Sequence, residues 1–137
     1  IIMKFYLFIY FFILNYALAE NTLRGKGLIC YYGFEKDIYE AYLFYQKKYV
    51  SKYIFLEKDT YKIRENEKRN YKTTKNYIEI KPFIINRKNF NVIDTEFKRI
   101  VGSCKIIANH KNTIKFMNEL RDKRQIDINK VLGREEI

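Results

Sequence analysis

Tyr77-Ile78-Glu79-Ile80-Lys81 alternates apolar and charged side chains in steps of two. Successive side chains of a strand point to opposite faces, so Ile78 and Ile80 share a buried face while Glu79 and Lys81 meet water. Pro82 follows and cannot donate to a ladder, which marks a bulge or a sheet edge within a strand expected to run from Tyr77 to Ile85. Asn86-Arg87-Lys88-Asn89 then reads as the turn into Phe90, because asparagine tolerates the left-handed conformation that tight turns need.

Moving outward, the same texture of short aromatic and β-branched runs extends from Leu28 to Ala108. Further strands are expected at Leu28 to Tyr32, Tyr39 to Tyr45, Tyr49 to Leu56, Thr60 to Arg64, Tyr71 to Thr74, Phe90 to Asp94 and Lys98 to Ala108. Most links between them span only about two to six residues, too short for the crossover that parallel strands require. The order is therefore antiparallel. After Ala108 the spacing turns helical, with Asn112 as expected cap, a helix from Thr113 to Arg124 and a last turn through Ile126, Ile128, Val131 and Leu132 to Gly133. The fold class expected is mainly β: a small antiparallel barrel or sandwich over residues 20–111, followed by a C-terminal helical segment over 112–137.

Ahead of the β region, Met3-Lys4 leads into the apolar run Phe5 to Leu14 and then Ala17-Leu18-Ala19 before Glu20. A positive start, an apolar core and a small-x-small end are the marks of a signal peptide over residues 1–19, with Ala17, Ala19 and Glu20 framing the cleavage site. The alternative is a retained anchor, for which the run is short, since a bilayer span needs roughly 20 apolar residues. Cys30 follows Leu28-Ile29 instead of a small residue, unlike a lipidation site. The expected address is export, to the periplasm or beyond.

Cys30 and Cys104 are the only cysteines. In an oxidising compartment such a pair reads as a structural disulfide. Closing about 75 residues would stabilise the fold by about 4.5 kcal/mol in the chain-entropy treatment. A redox pair would want Cys-x-x-Cys spacing, and a metal site would want more ligands. Gly102, two residues before Cys104, suggests a bend or close backbone approach that brings Cys104 to Cys30.

The chain carries 27 Lys and Arg against 16 Asp and Glu, and with only Lys4 inside the leader the remainder keeps a formal charge of +10. Two readings compete. Ile, Lys, Asn, Phe and Tyr all have AT-rich codons, so compositional drift alone raises Lys and Tyr. The other reading is attraction to a polyanion, since net charge governs association. The basic residues are spread along the chain and mixed with acids. The expected anion-facing set is Lys47, Lys48, Lys52, Arg87 and Lys88, and the expected partner is an anionic envelope component or glycan; export removes nucleic acid, the usual partner of basic-aromatic strands.

Aromatic residues crowd the first third, Tyr31, Tyr32, Tyr39, Tyr42, Phe44, Tyr45, Tyr49, Tyr53 and Phe55 among them. Period two puts Tyr42 and Phe44 on one face and Leu43 and Tyr45 on the other, so this strand is buried on both sides or leaves tyrosines on the surface. Core packing, an aromatic-lined ligand cavity and a stacking platform are the three readings. There is no Gly-rich phosphate loop, no metal-ligand cluster and no Gly-x-Ser-x-Gly elbow. No catalytic residue, cofactor or metal is assigned. The remote alternative is a secreted hydrolase using the single histidine, His110, as base, which would need Ser51, Ser103, Asp94 or Glu96 beside it.

Leu28-Ile29-Cys30, Ile84-Ile85-Asn86-Arg87 and Gly102-Ser103-Cys104 together resemble, over most of residues 25–108, small uncharacterised exported proteins of AT-rich marine bacteria. The resemblance implies an opening strand with one cysteine, Tyr-rich strands, an Ile-x-Arg hairpin and a closing Gly-x-Cys strand, with no assigned activity. A looser likeness is to lipocalin-like barrels, whose early Gly-x-Trp signature has no counterpart here, since the chain lacks tryptophan. These readings give a non-catalytic exported binding protein, with a small-ligand carrier as alternative.

Overall fold

The computed structural model describes residues 22–33 and 38–133. The expected signal peptide and its cleavage residues Ala17, Ala19 and Glu20 lie outside the described residues. Ten strands form one antiparallel sheet: β1 Gly27–Tyr32, β2 Ile38–Phe44, β3 Lys48–Glu57, β4 Thr60–Glu65, β5 Arg69–Asn70, β6 Lys72–Thr73, β7 Tyr77–Ile80, β8 Phe83–Asn86, β9 Asn91–Asp94 and β10 Arg99–Ile107. Among the described residues one helix, α1, spans His110–Val131. The spatial order is β4-β3-β2-β1-β10-β9-β8-β7-β6, with β5 returning to pair with β3. The sheet is thus a meander curled into a half-barrel, in which β1 and β10 are neighbours at the centre.

The two faces of the curled sheet bury different clusters. Leu28, Cys30, Tyr42, Phe44, Tyr49, Ile78, Ile80, Ile85 and Val92 fill the concave side. On the convex side Ile29 and Ala41 pack with Met117 of α1, flanked by Tyr31, Ile54, Ile63, Phe116 and Leu120. The period-two reading of β7 holds, since Ile78 and Ile80 are buried and Lys81 is exposed. β2 answers its ambiguity by being buried on both sides: Tyr42 and Phe44 face the concave core while Ala41 meets the helix side.

Two expectations are corrected. The single strand expected from Tyr77 to Ile85 is a hairpin, with Ile80 paired to Phe83 and the cis Lys81–Pro82 peptide forming the two-residue turn. Pro82 occupies a place where no ladder N–H is required, and its carbonyl accepts from the Thr95 N–H (3.1 Å) and Oγ1 (2.8 Å). The helix starts at His110, not after Asn112, because Asn109 is the residue in extended conformation and its side chain accepts from the Asn112 N–H at 2.7 Å. It also runs unbroken past Arg124. Nothing in Gln125 to Val131 interrupts a helix, and the stop comes at Gly133, whose φ of +70° is the left-handed exit that glycine supplies.

The expected disulfide forms. Cys30 and Cys104 are directly opposed on β1 and β10 with Cα atoms 4.0 Å apart. Gly102 sits at the irregularity between Ile100 and Gly102 that shifts β10 against β9. A Cβ there would lie 2.8 Å from Tyr32 Cδ1 and overlap the Tyr31 carbonyl oxygen, so the close approach of β1 requires glycine.

Candidate functional site

In an antiparallel meander the turns alternate between two ends of the sheet, which sorts the charges of the turns. At the end where β1 begins and β2 finishes lie segments 22–26, 45–47, 74–76, 87–90 and 108–109. They carry Arg24, Lys26, Lys47, Lys75, Arg87 and Lys88 and no Asp or Glu. Lys48 opens β3 and Lys111 the first turn of α1 at the same end. The helix N-terminus there adds its partial positive charge. Described turns at the opposite end, 58–59, 81–82 and 95–98, mix Lys58, Lys81 and Lys98 with Asp59 and Glu96.

This basic end is tied together by short contacts. The Gly25 N–H donates to the Phe44 carbonyl and the Phe44 N–H to the Lys26 carbonyl, both at 3.0 Å. His110 Nε2 lies 2.8 Å from the Phe44 carbonyl oxygen, and its ring meets Tyr45 edge-on at 4.9 Å. Lys68 Nζ stands 4.4 Å above the exposed Tyr45 ring. The Tyr71 hydroxyl donates to the Tyr45 carbonyl at 3.2 Å. On the neighbouring turn Arg87 Nη1 donates to Thr73 Oγ1 and the Thr74 carbonyl, both at 2.9 Å.

Of the five expected anion-facing residues, four are brought to this one end: Lys47 and Lys48 on one side, Arg87 and Lys88 on the other. Lys52 is not. It faces the groove beneath α1, 3.8 Å from Glu65. His110, considered as a base, is not beside Ser51, Ser103, Asp94 or Glu96: it serves the start of the helix and has its Nε2 engaged with backbone.

A second constellation, not anticipated from sequence, lies on the concave face. The Tyr32 and Tyr42 hydroxyls are 2.9 Å apart, and the Glu40 carboxylate accepts from the hydroxyls of Tyr42 and Ser51. Asn66 Nδ2 donates to Ser51 Oγ at 3.0 Å, and Arg69 bonds the Tyr49 hydroxyl while attracting Glu40. Burial pushes the Glu40 carboxyl above the ordinary carboxylate range, against the opposing pull of its hydroxyl donors and Arg69. Burial likewise raises the Tyr32 and Tyr42 phenols, so both stay neutral donors. The signal that places Glu40 inside is the strand period: it shares parity with Tyr42 and Phe44.

Between the two margins of the half-barrel, segment 69–73 changes partner, β5 pairing with β3 and β6 with β7. A crevice of about 310 Å³ opens in this seam, lined by Tyr49, Arg69, Tyr71, Lys72, Glu79 and Lys81. The concave interior itself is occupied by Phe44, Tyr42 and the isoleucines of β7 and β8. Among the described residues no group of three or more His, Cys, Asp or Glu is placed to hold a metal ion, and no helix is long and apolar enough to cross a membrane. No family model, curated protein or solved structure matches this chain.

Proposed function

We propose that this chain is an exported, non-catalytic binding protein that engages an anionic envelope component or glycan through the basic end of its half-barrel. The observation that carries this reading is the sorting of charge: turns 22–26, 45–47, 74–76 and 87–90 at one end hold Arg24, Lys26, Lys47, Lys75, Arg87 and Lys88 without a carboxylate, and the adjoining segment 66–68, which brings Lys68 to Tyr45, adds only Glu67. Short turns of a disulfide-tied sheet set the backbone positions of these cations before a partner arrives, and Arg87 is further held by Thr73 and Thr74, which lowers the ordering cost of association. The exposed Tyr45 ring beside Lys68 and His110 adds an apolar contact amid the charge. The disulfide suits an oxidising compartment, in keeping with export.

Retention on heparin and on anionic vesicles, each eluted with a salt gradient, tests the reading. Replacing Arg24, Lys47 and Lys88 by Gln is expected to move elution to clearly lower salt, because each lost contact reduces the salt dependence of binding to a polyanion. The same change in net charge at the other end, Lys58, Lys81 and Lys98 to Gln, is expected to leave most of the retention. Equal loss from both triple variants would mean that total charge alone acts, and the basic end would have no special standing.

A further inference from the structure

We propose that the seam crevice is a second site, which takes a small oxyanion, a phosphate or a short polycarboxylate, with Arg69 as its anchor. The half-barrel is not closed by a continuous ladder at this place. Tyr71 is the pivot between β5 and β6, and its ring turns inward against Phe44 at 4.9 Å, which leaves Arg69 and Lys72 on either side of the opening. Three cationic side chains, Arg69, Lys72 and Lys81, share the crevice with one carboxylate, Glu79, which faces Lys72 directly across the β6–β7 pair. Lys72 and Lys81 form no ion pair with any described residue. A volume of about 310 Å³ lies at the lower end of the range of small-molecule sites.

Arg69 is suited to anchor because its planar fork matches two oxygens at once. The residue is itself exposed, and it is drawn toward the sheet by the Tyr49 hydroxyl and by the charge of the Glu40 carboxyl. Glu40 therefore shares Arg69 with whatever enters the crevice. An oxyanion arriving from the seam draws Arg69 outward, away from a carboxyl that Tyr42 and Ser51 continue to hold by hydrogen bonds. The site is independent of the basic end: it opens on the flank of the sheet and uses none of Arg24, Lys47, Arg87 or Lys88.

Titration of the oxidised full chain with inorganic phosphate and, separately, with citrate at constant ionic strength, followed by amide chemical shifts, tests the proposal. The expected result is saturable shifts at Asn70 to Lys72 and Glu79 to Lys81, and whichever probe binds more tightly identifies the oxyanion class. Arg69→Gln is expected to weaken binding at least about tenfold, the loss of one charge-assisted pair. Lys72→Gln with Lys81→Gln, both on exposed positions, provides a variant that folds even if Arg69→Gln does not, and weakens binding similarly. Glu40→Gln is expected to tighten it several-fold by releasing Arg69, and Lys47→Gln with Lys88→Gln to leave it unchanged. Shifts that grow linearly without saturating, or saturable binding untouched by both seam variants, would overturn the site. Binding that weakens with Lys47 and Lys88 but not with Arg69 would move it to the basic end instead.

Discussion

Gly27 of β1 leaves no room for a side chain beside Thr113 of α1, and exchanging their shapes tests how α1 is docked. A Cβ on Gly27 would overlap Thr113 Oγ1 and lie 2.7 Å from its Cγ2 and 2.8 Å from its Cβ. Thr113 cannot move aside, because it is fully buried and its hydroxyl donates to the Asn109 carbonyl at 2.7 Å. Gly27→Ala is therefore an overpacking change, expected to cost about 2 to 3 kcal/mol. Thr113→Ala removes that hydroxyl bond and a buried methyl, a loss of about 2 kcal/mol. In the double variant the clash with Oγ1 and Cγ2 is gone, and the remaining Cβ–Cβ approach of 2.8 Å must open to ordinary contact by a shift of α1 against β1. The pair is then expected to lose less than the two single losses combined, which makes the coupling about 1 to 2 kcal/mol in the favourable direction. Urea denaturation of the four oxidised proteins measures it. Additivity within about 0.5 kcal/mol, or a Gly27→Ala variant as stable as the parent, would refute close packing of helix and sheet at this point.

Removing both sulfurs by Cys30→Ala with Cys104→Ala frees a loop of 74 residues in sequence separation and is expected to cost about 4.5 kcal/mol, read as a lower urea midpoint; a loss below about 1 kcal/mol would mean that the unfolded chain is not what the bond constrains. Glu40 has a folded pKa raised above its unfolded value, so the stability it contributes is fully present below the ordinary carboxylate range and is lost as pH rises through the raised value. Unfolding measured across that window should show stability falling with pH in the parent and a flatter profile in Glu40→Gln. A parent profile identical to the variant's would exclude Glu40 as the source. Glu57, whose carboxyl Lys62 holds below the usual range by a hydrogen bond and by its charge, works in the opposite sense, at lower pH.

The strands were legible in the sequence because burial on one face writes itself as alternation, as at Ile78 and Ile80, and because the spacing of Gly102 and Cys104 is local. Ends were less legible. Asn109 and Asn112 are equally good caps by type, and only the chain's exit from β10 decides that Asn109 is extended. Pro82 looked like a defect within one strand because a sequence does not say that the ladder turns back on itself there. Glu40 is less legible for a different reason: a charged residue is ordinarily expected to face water, even where its parity with Tyr42 and Phe44 puts it on their face. Its placement depends on Ser51 of β3, Asn66 of the link after β4 and Arg69 of β5, a juxtaposition that arises only on folding.

The distribution of charge shows the same difference between chain and fold. Along the sequence the basic residues are dispersed from Arg24 to Arg134 and interleaved with acids, as a codon bias would leave them. A meander reorders them, because every second turn returns to the same end and strand-borne charges are set aside along the flanks. Drift that inflates lysine acts on all turns alike, and cations are about as dense in 58–59, 81–82 and 95–98 as in 22–26, 45–47, 74–76, 87–90 and 108–109; what differs is that Asp59 and Glu96 sit among the former and no carboxylate among the latter. Composition thus accounts for how many lysines there are, and topology for which of them share an end with acids. That difference in acids between the two sets of turns is the reason to test one end separately from the charge of the whole.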